Sequence, residues 1–286
     1  MRLAWLSLPV AAGPAIERAL DGTGTPVATV AAIGLWLAWG LTLAATLIPH
    51  PVTLTLVRVA APAGLAVAAW AAVDGEADPL ALGATAVAAV LPFAPAVGEW
   101  FVNGAAYGDE RRLPLRVPAP LLLGPLELAW ALSVAGVAAG PALLAARQWI
   151  AGGLALVVGL PLAVISFRSL YGLARRWLVF VPAGVVVHDP MTLADPVLLR
   201  RGLIRSLGPA PADTKATDLT QRAAGLALEI DLVEPVNVGL VQPRVRSAET
   251  TDVGRLLVVP TRPGEAVAEA RRRRIRTTPA VLGGST

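Results

Sequence analysis

The sequence predicts two kinds of structure in one chain: a membrane α-helical bundle of about five spans, then a small, mainly antiparallel β domain closed by a C-terminal helix. Three observations lead there. Long apolar runs without a polar face fill the chain as far as Tyr171, alternation of period two appears after it, and the arginines gather in the second part. Composition agrees, with 55 % hydrophobic residues, a mean hydropathy of +0.64 and 15 % charged residues, where a soluble domain averages about a quarter.

A spanning helix needs roughly 20 apolar residues to cross a hydrocarbon core of about 30 Å. The stretches Pro26 to Ile48, Val52 to Val73, Pro79 to Val102, Val117 to Ala139 and Trp149 to Tyr171 meet that length. The third contains Pro92 and Pro95, and the fourth opens with Pro118, Pro120 and Pro125, so both are expected to be kinked where backbone donors are missing. Residues 1–24 precede the first span. There Arg2 and the short apolar run Leu3 to Ala12 end in Gly13-Pro14, and Glu17, Arg18 and Asp21 follow, a pattern that suits an uncleaved interfacial helix. The expected organisation is therefore an interfacial segment 1–24, a transmembrane bundle 25–171, a β domain 172–276 and a disordered tail 277–286.

Orientation follows from arginine, because short basic loops stay in the cytoplasm. Arg111, Arg112 and Arg116 lie between spans three and four, and Arg175 and Arg176 follow span five, while the loop carrying Asp74, Glu76 and Asp78 has no basic residue. Five spans then place the N-terminus outside and the C-terminal domain in the cytoplasm of a cell with an inner (plasma) membrane. Tryptophans at 36, 39, 70, 100, 130, 149 and 177 read as interface anchors.

Four ionisable residues lie inside or beside the spans: Arg58, Glu99, Glu127 and Arg168. With five spans they share the cytoplasmic half, and pairs such as Arg58 with Glu99 or Arg168 with Glu127 would offset the cost of burying charge. This layer reads either as helix-to-helix structure or as a polar site for a headgroup or a transported solute. Gly136 and Gly140 have the GxxxG spacing, which in so glycine- and alanine-rich a chain reads as chance or ordinary packing.

After Tyr171, Leu226, Leu228, Ile230 and Leu232 alternate with Ala227, Glu229 and Asp231, a strand with one wet face. Trp177 to Val181, the turn Pro182-Ala183-Gly184 and Val185 to His188 read as a hairpin. Further strands are expected around Val197 to Ser206, Val236 to Val241 and Leu256 to Val259, and a helix over Glu265 to Arg276 with Glu269 and Arg273 at i,i+4. The run Arg176-Trp177-Leu178-Val179-Phe180-Val181-Pro182 with Gly184-Val185-Val186-Val187, and Leu257-Val258-Val259-Pro260 before the final helix, resembles the plan of a bacterial pleckstrin-homology-like (PH-like) domain. The whole chain is similar to multi-span actinobacterial membrane proteins that carry such a domain in the cytoplasm. That resemblance implies an architecture and a binding role, and carries over no catalytic residue.

Arg271, Arg272, Arg273, Arg274 and Arg276, with Arg111, Arg112, Arg175 and Arg176, are candidate contacts for anionic membrane lipid or a protein partner of the cytoplasmic domain. The alternative is a solvated helix end whose arginines complement the dipole. Nucleic acid is not expected, because no aromatic stacking platform accompanies the arginines. With no cysteine and only His50 and His188, no metal site or cofactor is expected. His188 and Asp189 beside the Pro190 to Pro196 loop are the one hint of chemistry, and Asp and Pro suit such a loop for backbone reasons alone. The leading expectation is a non-catalytic scaffold or adaptor. A transport component built on the charged layer and a membrane enzyme acting on lipid are the alternatives.

Overall fold

The structure, a computed structural model, describes residues 1–75, 78–241 and 248–278. Glu76 of the acidic loop and residues 279–286 of the expected tail lie outside them. The chain divides into a helical unit, Met1–Gly104 with Leu126–Tyr171, and a β unit, Ala105–Pro125 with Gly172–Thr286. The second change of unit falls between Tyr171 and Gly172, and the segment between the third and fourth expected spans falls in the β unit.

The helical unit contains α1 (Arg2–Ala11), α2 (Gly13–Asp21), α3 (Thr25–Leu47), α4 (Pro51–Asp74), α5 (Pro79–Val90), α6 (Pro95–Asn103), α7 (Pro125–Ala145) and α8 (Trp149–Ala174). Four of these, α3, α4, α7 and α8, are long and apolar enough to cross a membrane, and α5 with α6 makes a fifth span if the pair, bent by 57°, is counted as one. Helix starts are set by local chemistry. Proline occupies the first turn of α3, α4 and α5, where its missing N–H costs nothing. His50 caps α4 in a reciprocal box: Nδ1 accepts from Val52 N at 3.2 Å, and the Thr53 hydroxyl accepts from His50 N at 3.1 Å. Asp78 Oδ1 caps α5 by accepting from Leu80 N and Ala81 N at 3.0 and 3.2 Å.

The fourth span starts later than expected. Residues Ala119–Leu122 form a 3-10 turn and Gly124 takes a φ of +117°, so the helix begins at Pro125 and runs to Ala145. Proline supplied apolarity to that stretch without a continuous helix. α7 and α8 then meet through glycine: a Cβ on Gly136 would stand 2.3 Å from the Gly159 carbonyl oxygen, and one on Gly140 2.5 Å from the Leu156 side chain. The GxxxG pair therefore sits at a close backbone approach, more specific than the chance or generic packing expected.

Residues 2–21 differ from the expected interfacial helix. Trp5 and Leu8 of α1 are buried with Ala61 of α4 and Ala88 of α5, and Ala12 and Ala15 pack with Ala81. Pro9 lies inside α1, and Ala12 separates the two short helices.

The β unit has two four-stranded sheets. The first orders β1 (Arg111–Pro114), β2 (Trp177–Val181), β3 (Gly184–His188) and β4 (Val197–Arg200), all antiparallel. The second contains β5 (Ile204–Pro209), β6 (Thr217–Asp218), β7 (Leu228–Val241) and β8 (Ala248–Val258), in the order β5-β7-β8-β6 with β6 parallel to β8. The hairpin of β2 and β3 is as the sequence predicts. The strand expected over Val197 to Ser206 is split by a 3-10 turn at Arg201–Leu203, which passes the chain between sheets. The two strands expected at Leu226 and Val236 are one, with an irregularity between Asp231 and Val236 where Pro235 cannot donate.

Leu113, Leu178, Phe180, Val185 and Leu199 of the first sheet share one core with Leu207, Leu228, Ile230 and Leu256 of the second, and with Ala266 and Ala270 of the final helix, α9 (Pro263–Arg272). That helix is shorter than expected: Arg274 takes a φ of +58°, Ile275 N donates to Ala270 O at 2.9 Å, and Ile275 is buried. This is a Schellman-type stop with arginine in the left-handed position. Thr277, expected to begin a disordered tail, bridges to Leu207 of β5, and Thr278 N donates to Leu207 O at 3.2 Å.

Candidate functional site

The ends of the β2–β3 hairpin determine the environment of Arg176. Trp177 pairs with His188 across the ladder, so Arg176 and Asp189 are the next residues outward. Arg176 Nε and Nη2 donate to Asp189 Oδ1 and Oδ2 at 2.8 and 2.7 Å, and Nη1 donates to Arg116 O at 2.9 Å. Both side chains are almost wholly enclosed, at 2 % and 0 % exposure. Asp189 Oδ1 also accepts from Met191 N at 3.1 Å. The expectation that Arg176 touches lipid or a partner is thereby corrected: burial commits its fork to one carboxylate. The same pair accounts for the aspartate of the His188-Asp189 cluster. His188 Nδ1 lies 2.7 Å from Arg175 O, and its ring stands 5.2 Å from that of Trp177.

Other candidate arginines fasten the inter-span segment to the domain. Arg111 pairs with Glu265 Oε2 at 3.3 Å, and Arg262 reaches Oε1 of the same carboxylate at 3.0 Å. Arg112 pairs with Glu110 at 2.9 Å and lies 5.2 Å from the Trp177 ring, a cation–π arrangement. Arg273 Nε donates to Glu269 Oε1 at 2.7 Å, the i,i+4 contact the sequence predicts, and Nη2 donates to Asp109 O. Arg111, Arg112 and Arg273 are thus part-buried with internal partners, which corrects their assignment as free surface contacts.

Arg175, Arg271, Arg272, Arg274 and Arg276 are exposed. Arg271 Nε touches Thr277 Oγ1 at 3.0 Å, and Arg272 keeps a 2.6 Å contact with Glu269 while 57 % exposed. Four guanidiniums therefore crowd the last turn of α9 and its stop, at the negative end of the helix dipole. Near an anionic membrane surface each is worth about 1 kcal/mol of attraction.

Arg58 Nε donates to Pro92 O at 3.0 Å and its guanidinium lies 5.6 Å from the Phe93 ring. Pro92 is where α5 gives way to the 3-10 turn before α6, so Arg58 supplies a donor to a carbonyl at the helix break. Hydropathy could not show this; a proline in one span and an arginine at matching depth in its neighbour was the available signal. Glu99 is buried on α6 and its backbone oxygen accepts from Asn103 Nδ2 at 2.8 Å. Glu127 lies in the first turn of α7, shallower than expected, and Arg168 is exposed on α8.

Among the described residues no three His, Cys, Asp or Glu side chains gather as a metal site. No protein-family model matches the chain, and no curated protein or solved structure matches it.

Proposed function

We propose that the chain is a multi-pass membrane protein acting as a non-catalytic adaptor, whose β unit, of pleckstrin-homology-like plan, lies in the cytoplasm and grips anionic lipid headgroups through the arginine turn that ends α9. The observation that carries this reading is the exposure of Arg271, Arg272, Arg274 and Arg276 on one short turn, while the intervening Arg273 is drawn inward. The sandwich of two sheets closed by a helix supports the PH-like plan, and the basic segment around Arg111 supports a cytoplasmic β unit by the positive-inside rule.

The test uses the full chain in nanodiscs. Amide exchange of residues 271–277 is compared between zwitterionic lipid and lipid containing phosphatidylglycerol, at low and high salt. Protection that appears only with phosphatidylglycerol, fades with salt and is lost in the quadruple Arg→Gln variant supports the reading. Equal exchange in both lipids rejects it. If a stoichiometric protein then co-purifies with the native chain and is lost from the quadruple variant, the turn is a protein-docking site instead.

A further inference from the structure

We infer that residues 2–21 form an additional crossing of the helical unit, so that Arg2 lies at the same end of that unit as the chain's exits into the β unit. The contacts of α1 and α2 follow a monotonic ladder. Arg2 Nε donates to Thr46 O at 3.1 Å, and its guanidinium lies 5.1 Å from the Trp100 ring. Thr46 is in the last turn of α3 and Trp100 in the last turn of α6, three residues before the chain leaves that helix.

One turn further on, Trp5 Nε1 donates to Trp39 O and Trp39 Nε1 donates to Trp5 O, both at 3.0 Å. Trp5 and Leu8 meet Ala61, midway along α4, and Ala88, in the last turn of α5 and so near the middle of the bent pair, and Ala12 and Ala15 meet Ala81 in the first turn of α5. Arg18 Nη2 then reaches Asp78, the cap of α5, at 3.4 Å. As residue number rises from 2 to 18, the partner on the bent pair falls from 100 to 88, 81 and 78. The segment therefore runs antiparallel to α5 and α6 over their whole depth.

Length and polarity fit a crossing. Twenty residues at 1.5 Å each give about 30 Å, the thickness of a hydrocarbon core. The charged residues fall at the two ends: Arg2 at one, and Glu17, Arg18 and Asp21 at the other beside Asp78. Both indole N–H groups, which would be orphaned in lipid, are satisfied by carbonyls across the α1–α3 contact. An interfacial helix would have no reason to bury Trp5 at mid-depth against two spans. The placement also puts Arg2 on the side of the basic Arg111 segment, as the positive-inside rule favours. The outside location of residue 1 drawn from five spans is revised accordingly, since an added crossing inverts it.

The chain has no cysteine, which makes single-cysteine labelling clean. Four forms are compared in sealed vesicles with a membrane-impermeant maleimide: a short cysteine-bearing extension before Met1, Gly22→Cys, Gln148→Cys and Lys215→Cys. The expected result is labelling of the extension and of Lys215→Cys from one side, and of Gly22→Cys and Gln148→Cys from the other. Labelling of the extension from the Gly22 side, or its absence by mass from the mature chain, overturns the proposal. Because none of these positions lies in the α1–α3 contact, all four forms should fold like the parent, which their thermal transitions verify.

Discussion

Arg176 and Asp189 hold each other in a two-point ion pair at 2.8 and 2.7 Å, closing the open end of the β2–β3 hairpin in a place without water access. Removing one partner leaves an uncompensated buried charge, which costs about 3–5 kcal/mol. Arg176→Ala and Asp189→Ala should each unfold the β unit at ambient temperature or bring it close to unfolding. The pair Arg176→Met with Asp189→Leu should be less damaging than the two single losses combined. Near-ultraviolet dichroism of the β unit, which contains Trp177, is the readout, and additive losses would falsify the coupling.

Gly136 faces the Gly159 carbonyl so closely that a methyl group cannot enter without parting the helices. Gly136→Ala should lower the thermal transition in detergent, by about 1–3 kcal/mol of destabilisation. Gly153 on the same hairpin has nothing within 4 Å of a built Cβ. Gly153→Ala should be neutral or slightly stabilising, and an equal loss at both positions would refute the close-approach argument.

Arg58 donates to Pro92 O where the third span breaks. Arg58→Ala leaves that carbonyl without its donor, at a cost of about 1–3 kcal/mol. Lower yield and faster proteolysis around Phe93 and Pro95 are expected. A fully stable Arg58→Ala protein that has lost a transport activity would point to the polar-pathway reading of this residue.

The reciprocal bonds between Trp5 and Trp39 should each contribute about 1 kcal/mol. Trp5→Phe and Trp39→Phe each remove one indole donor and leave the other intact, so both should lower the melting temperature modestly, with the double variant below either. Retention of the parent melting temperature in the double variant would rule out these bonds as stabilising contacts.

Arg274 and Arg147 both occupy left-handed backbone, at φ of +58° and +61°, where glycine is more comfortable by about 1 kcal/mol. Arg274→Gly and Arg147→Gly should each raise thermal stability. Only Arg274→Gly should also weaken the lipid-dependent protection of residues 271–277, which separates the role of its charge from its backbone conformation.

What the sequence made legible follows from periodicity. The spans at Thr25–Leu47 and Trp149–Ala174 and the β2–β3 hairpin each contain enough residues of one pattern to declare themselves. β1 does not: Arg111–Pro114 is four residues long, half of them arginine, and becomes a strand only by pairing with residues 177 to 180. α1 and α2 were obscured by Pro9 and by Gly13-Pro14, which cut one crossing into two pieces too short for any hydropathy window. In the candidate site, composition located the basic residues and could not say which were buried. The hairpin register could have: once Trp177 is set opposite His188, an arginine and an aspartate must face each other at its open end.

The pairing of β1 with β2 ties closure of the first sheet to the topology of the two helices between them. The strand is synthesised before α7 and α8, yet its partner β2 follows them, so the ladder between Leu113 and Leu178 can close only when the intervening helical hairpin has crossed the bilayer an even number of times. A chain that inserts α7 and leaves α8 behind strands the two halves of the sheet in different compartments. Leu113, wholly buried in the folded unit, then has no core to fill, and the edge of β2 that β1 covers is left unpaired.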